Sequence, residues 1–157
     1  MLFRSLLSAK YTNAVTHLPG AEDGKIAQTF ALLLSKAHYT RQRFDDDISA
    51  RFFDRYLELW DPQKLFLLQS DFTEFVQLRT QLDDLTLRHG DTAPAYNIFN
   101  RFMLRFDQCY ALVMHELQQG QFSFETDEQF VTNRKEEARP KDLDAARKLW
   151  RDRLRFE

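Results

Sequence analysis

Apolar residues recur along most of this chain at the three- and four-residue spacing that one face of an α-helix requires. The first set follows a cluster of helix-breaking residues at positions 19–24 and predicts a helix that runs from Ile26 and is closed by His38-Tyr39. The second predicts a helix that ends at Trp60. Its broad stripe is typical of a helix packed by several neighbours. The first stripe consists of Ile26, Phe30, Leu33, Leu34 and Ala37. The second is centred on Ile48, Phe52, Tyr56 and Leu59 and is widened by Phe53 and Leu57.

A third helix is expected to begin at Ser70, whose hydroxyl suits the N-cap position. Asp71 and Glu74 would then lie near the positive end of the helix dipole. Gly90 is expected to end this helix. Its buried face would consist of Phe72, Phe75, Val76, Leu82 and Leu85.

The fourth predicted helix is the longest. Pro94 fits its first turn, and Gly120 follows its last residue, Gln119. Residues 121–125 then alternate like a short strand, and a last helix is expected from about Pro140. The apolar positions of the fourth helix are Phe99, Phe102, Met103, Phe106, Tyr110, Val113, Met114 and Leu117. Those of the last helix are Leu143, Ala146, Leu149, Trp150 and Leu154.

The predicted fold is all-α, because short connections between helices imply antiparallel neighbours. We expect a largely antiparallel bundle of about five or six helices, with one short β segment near residues 121–125. Four glycines and four prolines leave few helix breakers in 157 residues, a length that suits one domain. We expect that domain to span residues 25–157, preceded by a weakly structured extension over residues 1–24.

Charge and cysteine content exclude several classes of function. A net charge of −2 argues against general nucleic-acid binding, which needs a basic surface. The single cysteine, Cys109, excludes an internal disulfide. Arg4 and Lys10 interrupt the apolar start of the chain, which lacks the apolar core of a signal peptide. No stretch approaches the ~20 apolar residues of a membrane span.

Candidate catalytic and metal-binding residues do not form a recognisable site, so we expect no catalytic residue, metal or cofactor in this chain. No two histidines have the i, i+4 spacing of a helical zinc site. Cys109 and His115 lie about 120° apart around one predicted helix, and we interpret Cys109 as a small core residue. The acidic residues 45–47 are interpreted as a helix cap. The basic residues near the C-terminus are interpreted as a solvated helix face, with Asp144 placed to pair with Lys148.

Several short motifs follow one another in a fixed order. They are His38-Tyr39, Phe44-Asp45, Phe53-Asp54-Arg55-Tyr56-Leu57, Asp61-Pro62 and Ser70-Asp71. In order and spacing they resemble the helical N-terminal domain of the bacterial carboxy-terminal processing proteases, also called tail-specific proteases. The resemblance runs from about Ile26 to the C-terminus. It departs from the family at Arg139, where relatives tend to have Trp, and at Asn133, where they tend to have an acidic residue.

The resemblance implies a role for the chain within a larger protein. In that family a PDZ domain and a Ser-Lys catalytic dyad lie downstream, and no serine or lysine here matches the dyad. The implied parent is a serine peptidase of the bacterial periplasm or cell envelope that cleaves proteins with exposed apolar C-terminal tails. This chain would be its non-catalytic scaffold, with the PDZ and protease domains, protein substrates and an adaptor protein as partners. The resemblance assigns structural roles to His38, Tyr39, Asp54, Arg55, Tyr56, Asp61, Pro62, Ser70 and Asp71.

Two other classes of function stay open. The chain would alternatively be a free-standing helical module that binds a partner helix through its many phenylalanines, of which there are 15. A small independent enzyme is disfavoured because no site assembles. A stop codon directly after Glu157 would favour the free-standing module, whereas continued coding sequence would favour the protease.

Overall fold

The computed structural model describes residues 15–37, 39, 43–120, 122 and 129–157. Within these residues the chain is all-α, as predicted, with six α-helices, one 3₁₀-helix and no strand. The elements are α1 (Asp23–Ala37), α2 (Asp46–Trp60), α3 (Gln69–Phe75), a 3₁₀-helix (Val76–Thr80), α4 (Leu82–His89), α5 (Ala93–Gln119) and α6 (Leu143–Phe156). The predicted β segment at 121–125 lies outside the described residues, except for Phe122.

Helix ends follow the local chemistry of the sequence. Oδ1 of Asp45 accepts a hydrogen bond from the backbone N–H of Ile48 at 3.2 Å, which confirms that the acidic run caps α2. At the start of α6, Asp142 accepts from the N–H of Ala145 at 2.8 Å. Gly90 ends α4 in the left-handed conformation with φ 59°, as its place after the apolar period predicted.

The third predicted helix is not continuous. The structure divides it into α3, the 3₁₀-helix and α4, with a break at Gln81. Just after the break, the N–H of Leu82 donates to the Ser49 hydroxyl at 3.0 Å. This side-chain acceptor satisfies a backbone donor that a continuous helix would pair internally. Val76, predicted to be buried, is 37% exposed.

The chain divides into two compact units. The N-terminal unit comprises residues 16–60 and 73–100. The C-terminal unit contains residues 61–72 and the described part of 101–157. The long helix α5 contributes residues 93–100 to the first and 101–119 to the second.

The C-terminal unit has its core where α6 meets the chain around Leu68. Leu68, Ala146 and Trp150 are buried together. This confirms the buried side predicted for α6. Cys109, Leu112 and Leu143 pack against the cluster and are partly buried.

In the N-terminal unit, α1 does not bury the apolar stripe from which it was predicted. It packs against α4, and Ala31 is its one fully buried residue. Gly24 and Gln28 lie on the same side of the helix, and Gln28 Nε2 donates to the carbonyl of Leu87 at 2.7 Å. The opposite side is exposed at Ile26 (64%), Phe30 (60%), Leu33 (57%) and Leu34 (44%).

The buried side of α2 is also shifted from the centre of its predicted stripe. Phe53 and Leu57 are buried, and so is the polar Ser49. Phe52 and Leu59 are 55% and 67% exposed. Apolar spacing therefore predicted the helix correctly and misplaced part of its packed face.

Candidate functional site

Asp61 lies directly after α2, and its carboxylate accepts hydrogen bonds from the loop that follows. Only 1% of its surface is exposed. Its Oδ1 accepts hydrogen bonds from the backbone N–H groups of Leu65 at 2.7 Å and Phe66 at 3.3 Å. Its Oδ2 accepts from the N–H of Leu67 at 3.0 Å and from the Arg139 guanidinium at 2.7 Å.

Asp71 in α3 is a second buried carboxylate, with 0% of its surface exposed. Arg105 donates to both of its oxygens at 2.8 Å, and Arg101 donates to Oδ1 at 2.6 Å. The backbone N–H of Leu68 donates to Oδ2 at 3.0 Å. Burial favours a higher pKa for Asp71, but the hydrogen bonds from Arg105, Leu68 and Arg101 outweigh it and hold the pKa below its usual value.

The start of α3 differs from the prediction. Ser70 is exposed and is the second residue of the helix, so it is not the N-cap. Leu68 takes that position without a side-chain oxygen. Asp71, three residues later, reaches back to its N–H, which is the second half of a capping box. Arg101 and Arg105 hold the Asp71 carboxylate in the position from which it accepts the N–H of Leu68.

Together, Asp61 and Asp71 form what we call the carboxylate clamps. Each carboxylate receives four hydrogen bonds. Four is the number of lone pairs that an ionised carboxylate offers. Their oxygens are therefore committed to neighbouring backbone and arginine groups, and the clamps fix the chain between residues 61 and 71.

Hydrogen bonds also join this segment to the residues just before α6 and to α6 itself. The N–H of Gln69 donates to the carbonyl of Pro140 at 2.8 Å, next to the Asp61–Arg139 ion pair. Trp150 Nε1 donates to the carbonyl of Leu65 at 2.7 Å. Arg139, at which the sequence departs from the resembled family, thus has a defined structural role here.

Two other motif residues lie on the exposed side of α2. Asp54 makes a double hydrogen bond with Arg79, at 3.0 and 2.7 Å, and this raises the pKa of the Arg79 guanidinium. Arg55 forms an ion pair with Glu58 one turn away. Exposed pairs of this kind contribute little to stability.

The remaining motif residues are not gathered into one place. Tyr56 is half-buried, and its hydroxyl donates to the carbonyl of Ala95 at 3.1 Å. His38 lies outside the described residues. Tyr39, Pro62 and Ser70 are exposed, as are Asp54 and Arg55. Of the nine, Asp61 and Asp71 have the most complete set of contacts.

The side chains that could act as nucleophiles or bind a metal are characterised by their surroundings in the fold. Cys109 packs against the core of the C-terminal unit, and burial raises its pKa to about 11. Its packing against the core agrees with the predicted core position, and little thiolate forms near neutral pH at such a pKa. Among the residues that the structure describes, no cluster of three or more His, Cys, Asp or Glu is placed to hold a metal ion. The helices in the described ranges are too short or too polar to cross a membrane.

The basic residues of α6 are paired along the helix surface. The sequence suggested a pair between Asp144 and Lys148, but Asp144 pairs with Arg147 at 3.1 Å. Lys148 pairs with Asp152 at 2.5 Å. Arg151 pairs with Glu116 at 3.1 Å. The prediction of a solvated face with mixed charges holds with different partners.

Sequence reasoning missed the arginines that complete the clamps. Arg101 and Arg105 lie one turn apart on α5 and are its only basic residues apart from His115. Two such charges on one face are a signal for a buried acidic partner, because unpaired charges are rarely buried. The identity of that partner, Asp71, depends on long-range folding and is not encoded in local spacing.

Comparison with known proteins agrees with the family that the sequence resembles. The sequence model described as the tail-specific protease N-terminal domain matches residues 30–157. A protein named tail-specific protease, from Haemophilus influenzae, is 32% identical over 123 residues. The aligned region covers 78% of this chain and 17% of that protein. The chain therefore belongs to the tail-specific protease N-terminal domain family.

Proposed function

We propose that this chain is the non-catalytic N-terminal domain of a periplasmic carboxy-terminal processing serine protease. Residues 25–157 form the helical domain, and residues 1–24 are an extension before it. The domain holds the PDZ and protease domains of the same protein and helps to dock a substrate or an adaptor. The Ser-Lys dyad that cleaves the substrate lies elsewhere in that protein.

The family match over residues 30–157 carries this proposal. The aligned region is a small part of the Haemophilus influenzae protease, 17% of its length. A region of that size within a peptidase is suited to a supporting role beside separate peptide-binding and catalytic domains.

The chemistry of the described residues also supports a scaffold. The carboxylate clamps commit both buried aspartates to structural hydrogen bonds. The raised pKa of Cys109 makes its thiol a weak nucleophile at neutral pH. In this proposal the nine motif residues from His38 to Asp71 maintain the shape of the domain, and the clamps contribute most.

Exposed apolar side chains provide the surfaces that a scaffold needs. Phe30 on α1 and Tyr110 on α5 are 60% and 55% exposed. Exposed apolar side chains that gather on one face of a helix are typical of an interface. The same observation favours the alternative function, a free-standing module that binds another protein, and the two differ in whether the native polypeptide also carries a protease domain.

A peptidase assay tests the proposal in two parts. The purified chain is incubated with a peptide that ends in apolar residues, and the Haemophilus influenzae tail-specific protease serves as positive control. We expect no cleavage by the chain alone. We expect a chimaera, in which residues 30–157 replace the aligned region of that protease, to retain cleavage. Reproducible turnover by the pure chain would contradict the non-catalytic role, and a folded but inactive chimaera would contradict the scaffold role.

A further inference from the structure

Residues 16–19 lie against α5 just before the chain turns into α1, and we call them the strap. They have no regular secondary structure, and all four are exposed. The chain is fixed directly after the strap. The N–H of Gly20 donates to Oδ2 of Asp23 at 2.8 Å, and the hydroxyl of Tyr96 on α5 donates to the same oxygen at 2.6 Å. The strap therefore begins at an anchored point on α5.

One side chain of α5 pairs with the backbone of the strap. Oδ1 of Asn100 accepts a hydrogen bond from the N–H of His17 at 2.9 Å, and Nδ2 of Asn100 donates to the carbonyl of His17 at 2.8 Å. A neighbouring strand in an antiparallel sheet makes the same pair of hydrogen bonds to one residue. Asn100 therefore recognises main-chain atoms, which every residue type except proline offers.

A row of aromatic rings lies beside this pair of hydrogen bonds, in the same compact unit. The His17 ring packs edge-to-face on Phe99 with the centroids 5.2 Å apart, and Phe99 packs on Trp60 at 4.6 Å. The row continues along α2 through Tyr56 to Phe52, at centroid distances of 6.2 and 6.4 Å. Phe52 is 55% exposed, so the row is open to solvent at that end. We call the four rings on α2 and α5 the aromatic row.

The strap is held by contacts that lie at the surface. Both hydrogen bonds of His17 are exposed, and Leu18 keeps 75% of its surface in solvent. Exposed hydrogen bonds exchange with bonds to water and contribute little net free energy. A segment with few buried apolar contacts opens locally at low free-energy cost. Opening would uncover the Asn100 amide and the Phe99 ring together, while the anchor at Asp23 keeps α1 in place.

We propose that Asn100 and the aromatic row form a binding site for an extended peptide, and that the strap fills this site from within the same chain. The seated strap defines the ligand. It offers one N–H and one C=O to Asn100 and an aromatic side chain to Phe99. A helical peptide does not fit, because its backbone groups are already paired internally. This inference rests on the proposed docking role and assigns extended polypeptide with an aromatic residue as the class of ligand.

The test measures binding of one peptide to variants of the full chain. The peptide copies residues 15–20, Val-Thr-His-Leu-Pro-Gly, with both ends blocked. Binding is followed by NMR titration of the backbone amide signals of residues 96–100. The parent chain should bind weakly, because the strap competes for the site. His17→Pro removes the N–H that Asn100 accepts and opens the site, so we expect this variant to bind the peptide about tenfold more tightly.

Two variants and a second peptide make the result specific. Leu18→Ser changes an exposed strap side chain and should leave peptide binding as in the parent chain. Asn100→Leu, added to His17→Pro, keeps the size of the side chain without its amide and should abolish saturable binding. A peptide with proline in place of its histidine should not bind to any variant. Equal binding to the parent chain and His17→Pro, or binding that survives Asn100→Leu, overturns the proposal.

Hydrogen exchange of the His17 N–H measures the opening of the strap. We expect this group to be protected by Asn100 and yet to exchange much faster than the N–H of Phe53, which is fully buried in α2. Asn100→Leu should remove the protection. Exchange as slow as that of Phe53 would mean that the strap stays closed, which also overturns the proposal.

The peptidase assay decides the proposed function separately. Failure of peptide binding with no cleavage by the chain would remove this inference and leave the scaffold role in place. Cleavage by the chain would remove the scaffold role whatever the peptide does.

Discussion

The segment 61–71 and helix α1 are held in place by opposite kinds of contact. The first buries two charged residues, Asp61 and Asp71, and supplies each with four donors. The second packs through small and polar positions and leaves Phe30 60% exposed. A carboxylate can be buried when its hydrogen bonds are arranged in advance, and a phenylalanine stays exposed when its helix packs by another face.

This difference distinguishes the residues that hold the fold together from the side chains that stay exposed. In segment 61–71, the carboxylate oxygens of Asp61 and Asp71 are satisfied by internal donors. On α1 and α5, apolar side chains such as Phe30 and Tyr110 are more than half exposed. The clamps are therefore expected to determine stability, and the exposed helix faces are expected to affect it little.

The largest effect is expected for Asp61→Ala. The change leaves three backbone N–H groups and the guanidinium of Arg139 without their acceptor. We expect the free energy of unfolding to fall by about 4 kcal/mol, measured by urea denaturation. The matched control is Asp144→Ala, whose side chain is 75% exposed and which should change stability by less than about 1 kcal/mol. Equal effects of the two substitutions would show that burial of Asp61 has no energetic consequence.

A smaller effect with a characteristic pH dependence is expected for Asp71→Asn. The amide keeps the shape of the side chain and removes the charge that Arg101 and Arg105 neutralise. We expect a loss of about 3 kcal/mol at neutral pH. Stability is again measured by urea denaturation, now at a series of pH values.

The sign of the pH dependence follows from the lowered pKa of Asp71. A carboxyl whose folded pKa lies below its unfolded pKa stabilises the fold fully above the unfolded value, near 4 for aspartate. That stabilisation is lost as the pH falls from there through the folded pKa. The difference between the parent chain and Asp71→Asn should therefore be constant from about pH 5 to 7 and shrink below about pH 4. A difference that stays constant down to pH 2 would contradict the assignment.

The smallest effects are expected on α1, where two substitutions test which face of the helix is packed. A Cβ added at Gly24 would lie 2.2 Å from the carbonyl oxygen of Gly90. Gly24→Ala should therefore destabilise by about 1–2 kcal/mol, although alanine is the better helix former. Phe30→Gln removes a large apolar side chain and should change stability by less than about 0.5 kcal/mol, because that side chain is exposed.

Urea denaturation measures both variants, with Thr29→Ala on the exposed side of α1 as the neutral control. A stabilised Gly24→Ala would show that α1 does not approach α4 closely at this point. A strongly destabilised Phe30→Gln would show that the apolar side of the helix is packed.

Sequence reasoning reached the helices because their signals are local. Gly90 and Gly120 mark the ends of α4 and α5, and Asp45 caps α2 as its position before an apolar period indicates. The one long segment that failed is 70–90. There the N–H of Leu82 donates to a hydroxyl from α2, at Ser49, and no local rule includes such a distant acceptor.

The clamps were partly predictable. The motifs singled out Asp61 and Asp71 but gave no reason to expect their burial, because the partners Arg139 and Arg105 are 78 and 34 residues away in the chain. The faces of α1 were misjudged for a related reason. Periodicity identifies an apolar side, and only the neighbouring helix decides whether that side is the one that packs.

The size and location of the native polypeptide test most directly whether this chain is part of a tail-specific protease. An antibody raised against the chain is used to blot fractionated cells of the organism that encodes it. We predict a band several times heavier than 18.8 kDa in the periplasmic or envelope fraction. A single band at 18.8 kDa in the cytosol would contradict the account and identify the chain as a free-standing protein.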